Sequence, residues 1–188
     1  ELLIKKFGKH GNLMWEYANG IDYSEVKYEK ELPKSIGNST TFPSDIANRE
    51  ELEQILLALT ELVAFRLRKY NLLANVVSVQ LRTNKFEDFS HQGKLDIATS
   101  NTKNIYSKAK ELLEEMYKKG SSIRLIGLKV DNLVNKDEVQ LSFFQKADDE
   151  KNEKLDEAID KLNEKYGFNS VKRAGKMNID EVINIKRD

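Results

Sequence analysis

Two short stretches of this 188-residue chain carry side chains that could do chemistry. The first is "KSIGNSTTF", Lys34–Phe42, where hydroxyl groups, an amide and a glycine crowd a strand-like run. Small side chains let a bulky polyanion come close, and hydroxyls and backbone amides can then donate to its oxygens without reading anything else. The second is "QLSFF", Gln140–Phe144, an apolar island among acids, lysines and amides. It is either the end of a core strand or an anchor for another protein's pocket. Carboxylates are numerous but stand beside lysines at helical spacing, as in "EELEQ" and "DDEKNEKLDE", the pattern of solvated helix faces. No apolar strand presents the paired carboxylates of a two-metal site, and no glycine-rich loop opens a helix. With no cysteine and only His10 and His91, neither a thiolate nucleophile nor a zinc site is expected. No catalytic or metal-binding constellation emerges.

The elements that must position the first stretch follow from periodicity. Lys34–Phe42 reads as a strand. Asn48 with Glu51 three residues on suggests a capping box, and Leu52, Ile55, Leu56, Leu59, Leu62, Val63 and Leu67 recur at helical spacing, giving a helix over 48–70. Asn75–Thr83 alternates, with Val77, Val79 and Leu81 inward; Phe89–Ile97 is a weaker strand interrupted by Gly93. Ile105, Ala109, Leu112, Leu113 and Met116 mark a helix over 102–119, stopped by Gly120 in the C′ position. Ser122–Val130 is a fourth strand. The order strand, helix, strand, strand, helix, strand predicts an α+β domain: a four-stranded antiparallel sheet with two helices on one face.

The other face is then uncovered, and its composition says what it meets. Its outward positions are Ser35, Gly37, Ser39 and Thr41; Val76, Ser78, Gln80 and Arg82; Ser90, Gln92 and Lys94. In a regular strand Arg124 and Lys129 would point to opposite sides, and a bulge at Gly127 would bring both outward. Such a surface fits a sequence-independent grip on a phosphate backbone, and it also fits an ordinary solvated sheet face.

The remaining regions frame this domain. Residues 1–22 read as the end of a preceding helical domain, 23–33 as a linker, 34–135 as the sheet domain and 136–188 as a tail. The tail carries an amphipathic helix marked by Leu155, Ala158, Ile159, Leu162 and Tyr166. Net charge is zero, 31 basic against 31 acidic residues, so overall basicity argues nothing. Locally, residues 34–135 carry 15 basic and 12 acidic side chains, and 136–188 carry 11 and 13. There is no apolar run of membrane-spanning length and no secretory leader; the opening "ELLIKKFGKHGN" suggests a piece of a longer intracellular, cytoplasmic protein.

"PKSIGNSTTFPSDI", "VVSVQLRTNKFEDFSHQGKL" and "IRLIGLKVDNL" resemble the strands of the little-finger domain of Y-family translesion DNA polymerases, in the version of the bacterial DNA polymerase IV and UmuC-like branch. "FGKHGNLMWEYANGID" resembles the end of the preceding thumb domain. The resemblance implies that the palm, with its magnesium-binding carboxylates, lies upstream, so that this segment holds no cofactor and polymerises nothing by itself. It implies that Ser35, Gly37, Asn38, Ser39 and Thr40 stand where the family meets template phosphates, and that Arg82, Ser90, His91, Arg124 and Lys129 match its other phosphate-side positions; Lys94 joins them from the outward set alone. Leu125 and His91 stand where some relatives carry arginine. It also implies that Gln140, Leu141, Ser142, Phe143 and Phe144 form the pentapeptide that docks on the bacterial β sliding clamp, with Phe143 in place of the usual leucine. The implied partners are primer–template duplex DNA and the clamp. The other reading of the βαββαβ pattern is a free-standing ferredoxin-like module that binds protein or RNA; the thumb-like residues before Gly20 speak against it.

Overall fold

The computed structural model describes residues 1–26, 28, 32–138, 147–167 and 170–171. The chain divides into two compact units, Glu1–Leu32 and Pro33–Asp188. In the first, α1 (Leu2–Phe7) and α2 (Lys9–Ala18) are separated by Gly8, whose φ of 57° is the left-handed turn that glycine takes without a Cβ penalty.

The second unit follows the element order read from periodicity. β1 (Ser35–Ile46) leads to α3 (Arg49–Lys69), then the hairpin of β2 (Leu72–Thr83) and β3 (Asp88–Thr99), α4 (Thr102–Met116) and β4 (Ile123–Asp131). The sheet order is β1-β4-β2-β3, with every pairing antiparallel. Each helix therefore crosses over one intervening strand: α3 joins β1 to β2 over β4, and α4 joins β3 to β4 over β2. The spacing that marked α3 is its buried face: Leu52, Ile55, Leu56, Leu59, Val63 and Leu67 are fully buried. They meet Val77 and Val79 of β2 and Ile126, Leu128 and Val130 of β4 in one core, closed by Ile105, Ala109 and Leu113 of α4. Asn48 caps α3 through its side chain, accepting from the Glu50 amide at 2.8 Å, and Asn101 caps α4 in the same manner.

The structure departs from the sequence expectations in four places. β1 continues past Phe42 through Pro43 to Ile46, which an edge strand tolerates because no neighbour needs the missing N–H. β3 is unbroken at Gly93, which pairs with Val77. A Cβ at this position would sit 2.7 Å from Lys108 Cε, the mobile end of a side chain of α4, and 3.4 Å from Leu112 Cδ2. α4 ends at Met116, and Tyr117 turns extended; Gly120, with φ 85°, is not its C′ residue but belongs to the following turn, in which the Ser121 amide donates to Lys118 O. A two-residue β5 (Val134–Asn135), invisible in the sequence pattern, pairs with Leu73 and Leu72 of β2.

The tail helix α5 (Ala147–Tyr166) docks on the same unit, but not by its apolar stripe. Leu155, Leu162 and Tyr166 are exposed. The docked side is polar: Asp156, only 2% exposed, accepts from the Thr102 amide at the start of α4 at 2.8 Å. Arg68, at the end of α3, reaches Asp156 at 3.3 Å and donates to Asp160 at 2.9 Å and to Ser100 O at 2.9 Å. A carboxylate at a helix N-terminus answers both the orphan amides and the helix dipole.

Candidate nucleic-acid interface

Antiparallel partners share a face, so the register writes out the open side of the sheet in four rows. Across β1, β4, β2 and β3 they are Thr41–Leu125–Arg82–Asp88, Ser39–Gly127–Gln80–Ser90, Gly37–Lys129–Ser78–Gln92 and Ser35–Asp131–Val76–Lys94. The two middle rows contain only hydroxyls, amides, glycines and one lysine. They floor an open depression of about 540 Å³. Its flatness is built by glycine: a Cβ on Gly127 would stand 3.1 Å from Ser39 Cβ, and one on Gly37 would stand 3.1 Å from Leu128 O.

The depression has an edge of backbone donors. β1 pairs only with β4 among the described residues, so its other edge is open. The Ser39 amide donates to Asn38 Oδ1 at 2.9 Å, and Gly37 O accepts from Arg66 Nη1 at 3.5 Å. Odd-numbered residues therefore turn their peptide groups to the open edge, which puts the amides of Gly37, Ser39 and Thr41 along the rim of the face.

Of the residues singled out in the sequence, Ser35, Gly37, Ser39, Arg82, Ser90, Lys94 and Lys129 come together on this face. Three do not join it in the expected way. Thr40 lies opposite Ile126 on the helix side and is 8% exposed. His91 lies opposite Val79, also on the helix side, with Nδ1 3.0 Å from the Glu115 carboxylate of α4. Asn38 lies opposite Leu128; it still lines the depression, and its carboxamide oxygen accepts from the Ser39 amide. The resemblance assigned these positions as a run along the chain, whereas the pleat sends alternate side chains to opposite faces.

The expected bulge exists, but at Arg124 and not at Gly127. Leu125 stands opposite Arg82 and Ile123 opposite Thr83, so Arg124 is the extra residue, while pairing runs evenly through Gly127. Arg124 sits at the end of the sheet, its guanidinium 5.3 Å from the centre of the Phe86 ring. Phe86 itself is 67% exposed on the β2–β3 turn and holds a φ of 64°.

Sequence reasoning missed the acids. Arg82 makes a two-pronged pair with Asp88, Nε to Oδ1 at 2.8 Å and Nη2 to Oδ2 at 2.9 Å, and the Gln80 amide reaches the same carboxylate at 3.4 Å. The Arg82 hydrogen bonds hold the Asp88 carboxyl below the usual carboxylate range. Lys129 Nζ lies 3.0 Å from Asp131, and Arg124 lies 3.9 Å from Asp45. Asp131 could have been read from its two-residue spacing from Lys129; Asp88 could not, because its partner is set by the hairpin register. Among the described residues Lys94 has no carboxylate partner. Among the same residues no group of three His, Asp or Glu could hold a metal, and no helix is long and apolar enough to cross a membrane. Gln140, Leu141, Ser142, Phe143 and Phe144 lie outside the described residues, between a 3-10 turn ending at Glu138 and the start of α5.

Residues 33–143 match the impB/mucB/samB family C-terminal domain. The chain is 39% identical over 173 residues to the DNA polymerase IV of Clostridium acetobutylicum, covering 92% of this chain and 43% of that protein. It is 38% identical over 179 residues to the DNA polymerase IV of Acetivibrio thermocellus, again covering 92% of this chain and 44% of that protein. The chain thus spans less than half the length of these relatives. Among solved structures, it is similar to the little finger domain of PolIV in a complex with the beta-clamp processivity factor, with TM-score 0.45, 25% identity, and coverage of 59% of this chain and 99% of that one.

Proposed function

From the premise that the chain belongs to the impB/mucB/samB family, of which it carries the C-terminal, little-finger domain of Y-family polymerases, we propose that its open sheet face grips duplex DNA by the phosphate backbone without reading sequence. The observation that carries this reading is the pair of middle rows, Ser39–Gly127–Gln80–Ser90 and Gly37–Lys129–Ser78–Gln92, with no bulky apolar side chain. Hydroxyls, amides and N–H groups at this density can bind phosphate oxygens, and none of them needs to reach a base edge. The parent protein is then a bacterial, cytoplasmic translesion DNA polymerase. Its magnesium-dependent nucleotidyl transfer belongs to a palm domain outside this segment, and the strands here hold the primer–template behind it.

Docking on a sliding clamp is the second half of the proposal. It rests on the likeness of Gln140–Phe144 to the clamp-binding pentapeptide. A short extended peptide can place Leu141, Phe143 and Phe144 in an apolar pocket while Gln140 bonds at the rim and Ser142 faces out. The free-standing module is disfavoured, since the relatives match the chain over 92% of its length, well beyond the sheet domain.

The test of the grip is duplex binding measured by fluorescence anisotropy on unrelated sequences. Affinities should agree between sequences, near a Kd of about 10⁻⁴–10⁻⁶ M at physiological salt. Ser78→Glu or Gln80→Glu, placing a carboxylate in the middle rows, should weaken binding to every sequence. Unchanged affinity in both variants would mean that the DNA lies elsewhere.

A further inference from the structure

Of the rim cations singled out above, Arg82, Lys129 and Arg124 each face a carboxylate of their own domain, and among the described residues Lys94 does not. Arg82 is paired with Asp88, Lys129 with Asp131, and more loosely Arg124 with Asp45. Asp88 and Asp131 belong to the outer rows of the same face, in register with Arg82 and with Ser35 and Val76. These pairs contribute little to folding, because exposed ion pairs are worth little in water. Their consequence lies in binding. A phosphate that takes up Arg82 must displace Asp88 or share the guanidinium with it, and either way a carboxylate is left within a few ångströms of the polyanion.

We infer that Asp88 and Asp131 attenuate the grip: they are affinity-setting residues that keep the interface close to neutral and let the duplex slide off. The inference rests on the duplex reading above. It follows that the salt dependence of binding is shallower than the number of rim cations suggests, because an arginine already neutralised by its own aspartate displaces fewer counterions from DNA. Lys94, without such a partner among the described residues, then contributes more per charge than Arg82. Asp45, at 3.9 Å from Arg124, should matter least of the three acids.

The experiment measures duplex affinity against salt concentration for the 188-residue chain and for Asp88→Asn, Asp131→Asn, Asp45→Asn, Lys94→Ala and Glu164→Gln. Asp88→Asn and Asp131→Asn should each tighten binding roughly two- to fivefold at low salt. Each should also steepen the slope of log affinity against log salt by about 0.9. Asp45→Asn should do less. Glu164→Gln makes the same charge change on α5, off the face, and should leave both quantities unchanged. Thermal unfolding verifies that each variant folds, and Asp88→Ser and Asp131→Ser serve where an asparagine variant does not. If Lys94→Ala weakens binding but neither aspartate variant tightens it, attenuation is wrong and the duplex face stands. Attenuation is equally wrong if Glu164→Gln tightens binding to the same extent, since net charge alone then explains the gain. If Lys94→Ala and the aspartate variants all leave binding unchanged, the duplex reading itself falls.

Discussion

Gly127 occupies the centre of the open face, and its missing side chain shapes what can approach. A Cβ there would press on Ser39 Cβ at 3.1 Å and stand 3.7 Å from Gln80 Cβ, so any substitution raises a bump in the middle of the Ser39–Gly127–Gln80–Ser90 row. Gly127→Val should fold, with a loss of about 1–3 kcal/mol as β1 gives way, because β1 is an edge strand. Duplex affinity should fall by about tenfold, equivalent to about 1.4 kcal/mol, and anisotropy beside thermal unfolding separates the two effects. At this scale the sequence was legible wherever side-chain alternation decided the outcome. Val77, Val79 and Leu81 point inward as read, and Ser78 and Gln80 outward. It was not legible where a contact is made across strands, since nothing in the chain order ties Asp88 to Arg82; Thr40 and His91 are misplaced by family position alone, because the same alternation already puts them on the helix side.

Between elements, polar links hold what the core does not. Glu53 on α3 takes Arg49 at 2.8 Å and Lys110 of α4 at 2.7 Å, and Arg49 goes on to Glu114 at 2.9 Å. Burial alone would push the Glu53 carboxyl up, but the hydrogen bonds from Lys110 and Arg49 outweigh it and hold it below its usual range. A carboxyl depressed by folding contributes stability that is present above its unfolded pKa, about 4.3, and is lost as pH falls through the lower folded value. Glu53→Gln should therefore cost about 0.2–1 kcal/mol at neutral pH, the range of a partly exposed pair. That cost should shrink in acid below about pH 4.3, as followed by urea unfolding at a series of pH values. The link from α5 is stronger. Asp156→Ala leaves the Thr102 amide uncapped and Arg68 short of one partner, and should destabilise the domain by about 2–4 kcal/mol. A loss of only a few tenths would mean that α5 contributes nothing to the fold. The amphipathic pattern of α5 located the helix in the sequence but not the polar side by which it docks, because a buried aspartate that caps another helix leaves no periodic signal.

The molecule as a whole is two units carrying less than half the length of its relatives. The pentapeptide Gln140–Phe144 lies between β5, held to β2, and α5, held through Asp156. Replacing Leu141 and Phe144 with alanine should abolish a micromolar clamp interaction, a loss of about 2–4 kcal/mol, and leave thermal unfolding unchanged. Strong destabilisation instead would make "VQLSFF" a strand of the domain's own core. For the central claim, the direct measurement is an amide NMR titration of the isotope-labelled chain with a short duplex of arbitrary sequence. The expected result is shifts confined to the open face and its edge: Gly37, Ser39, Ser78, Gln80, Ser90, Gln92, Gly127 and Lys129. Shifts gathered instead on the exposed sides of α3 and α4, with these residues still, would contradict it.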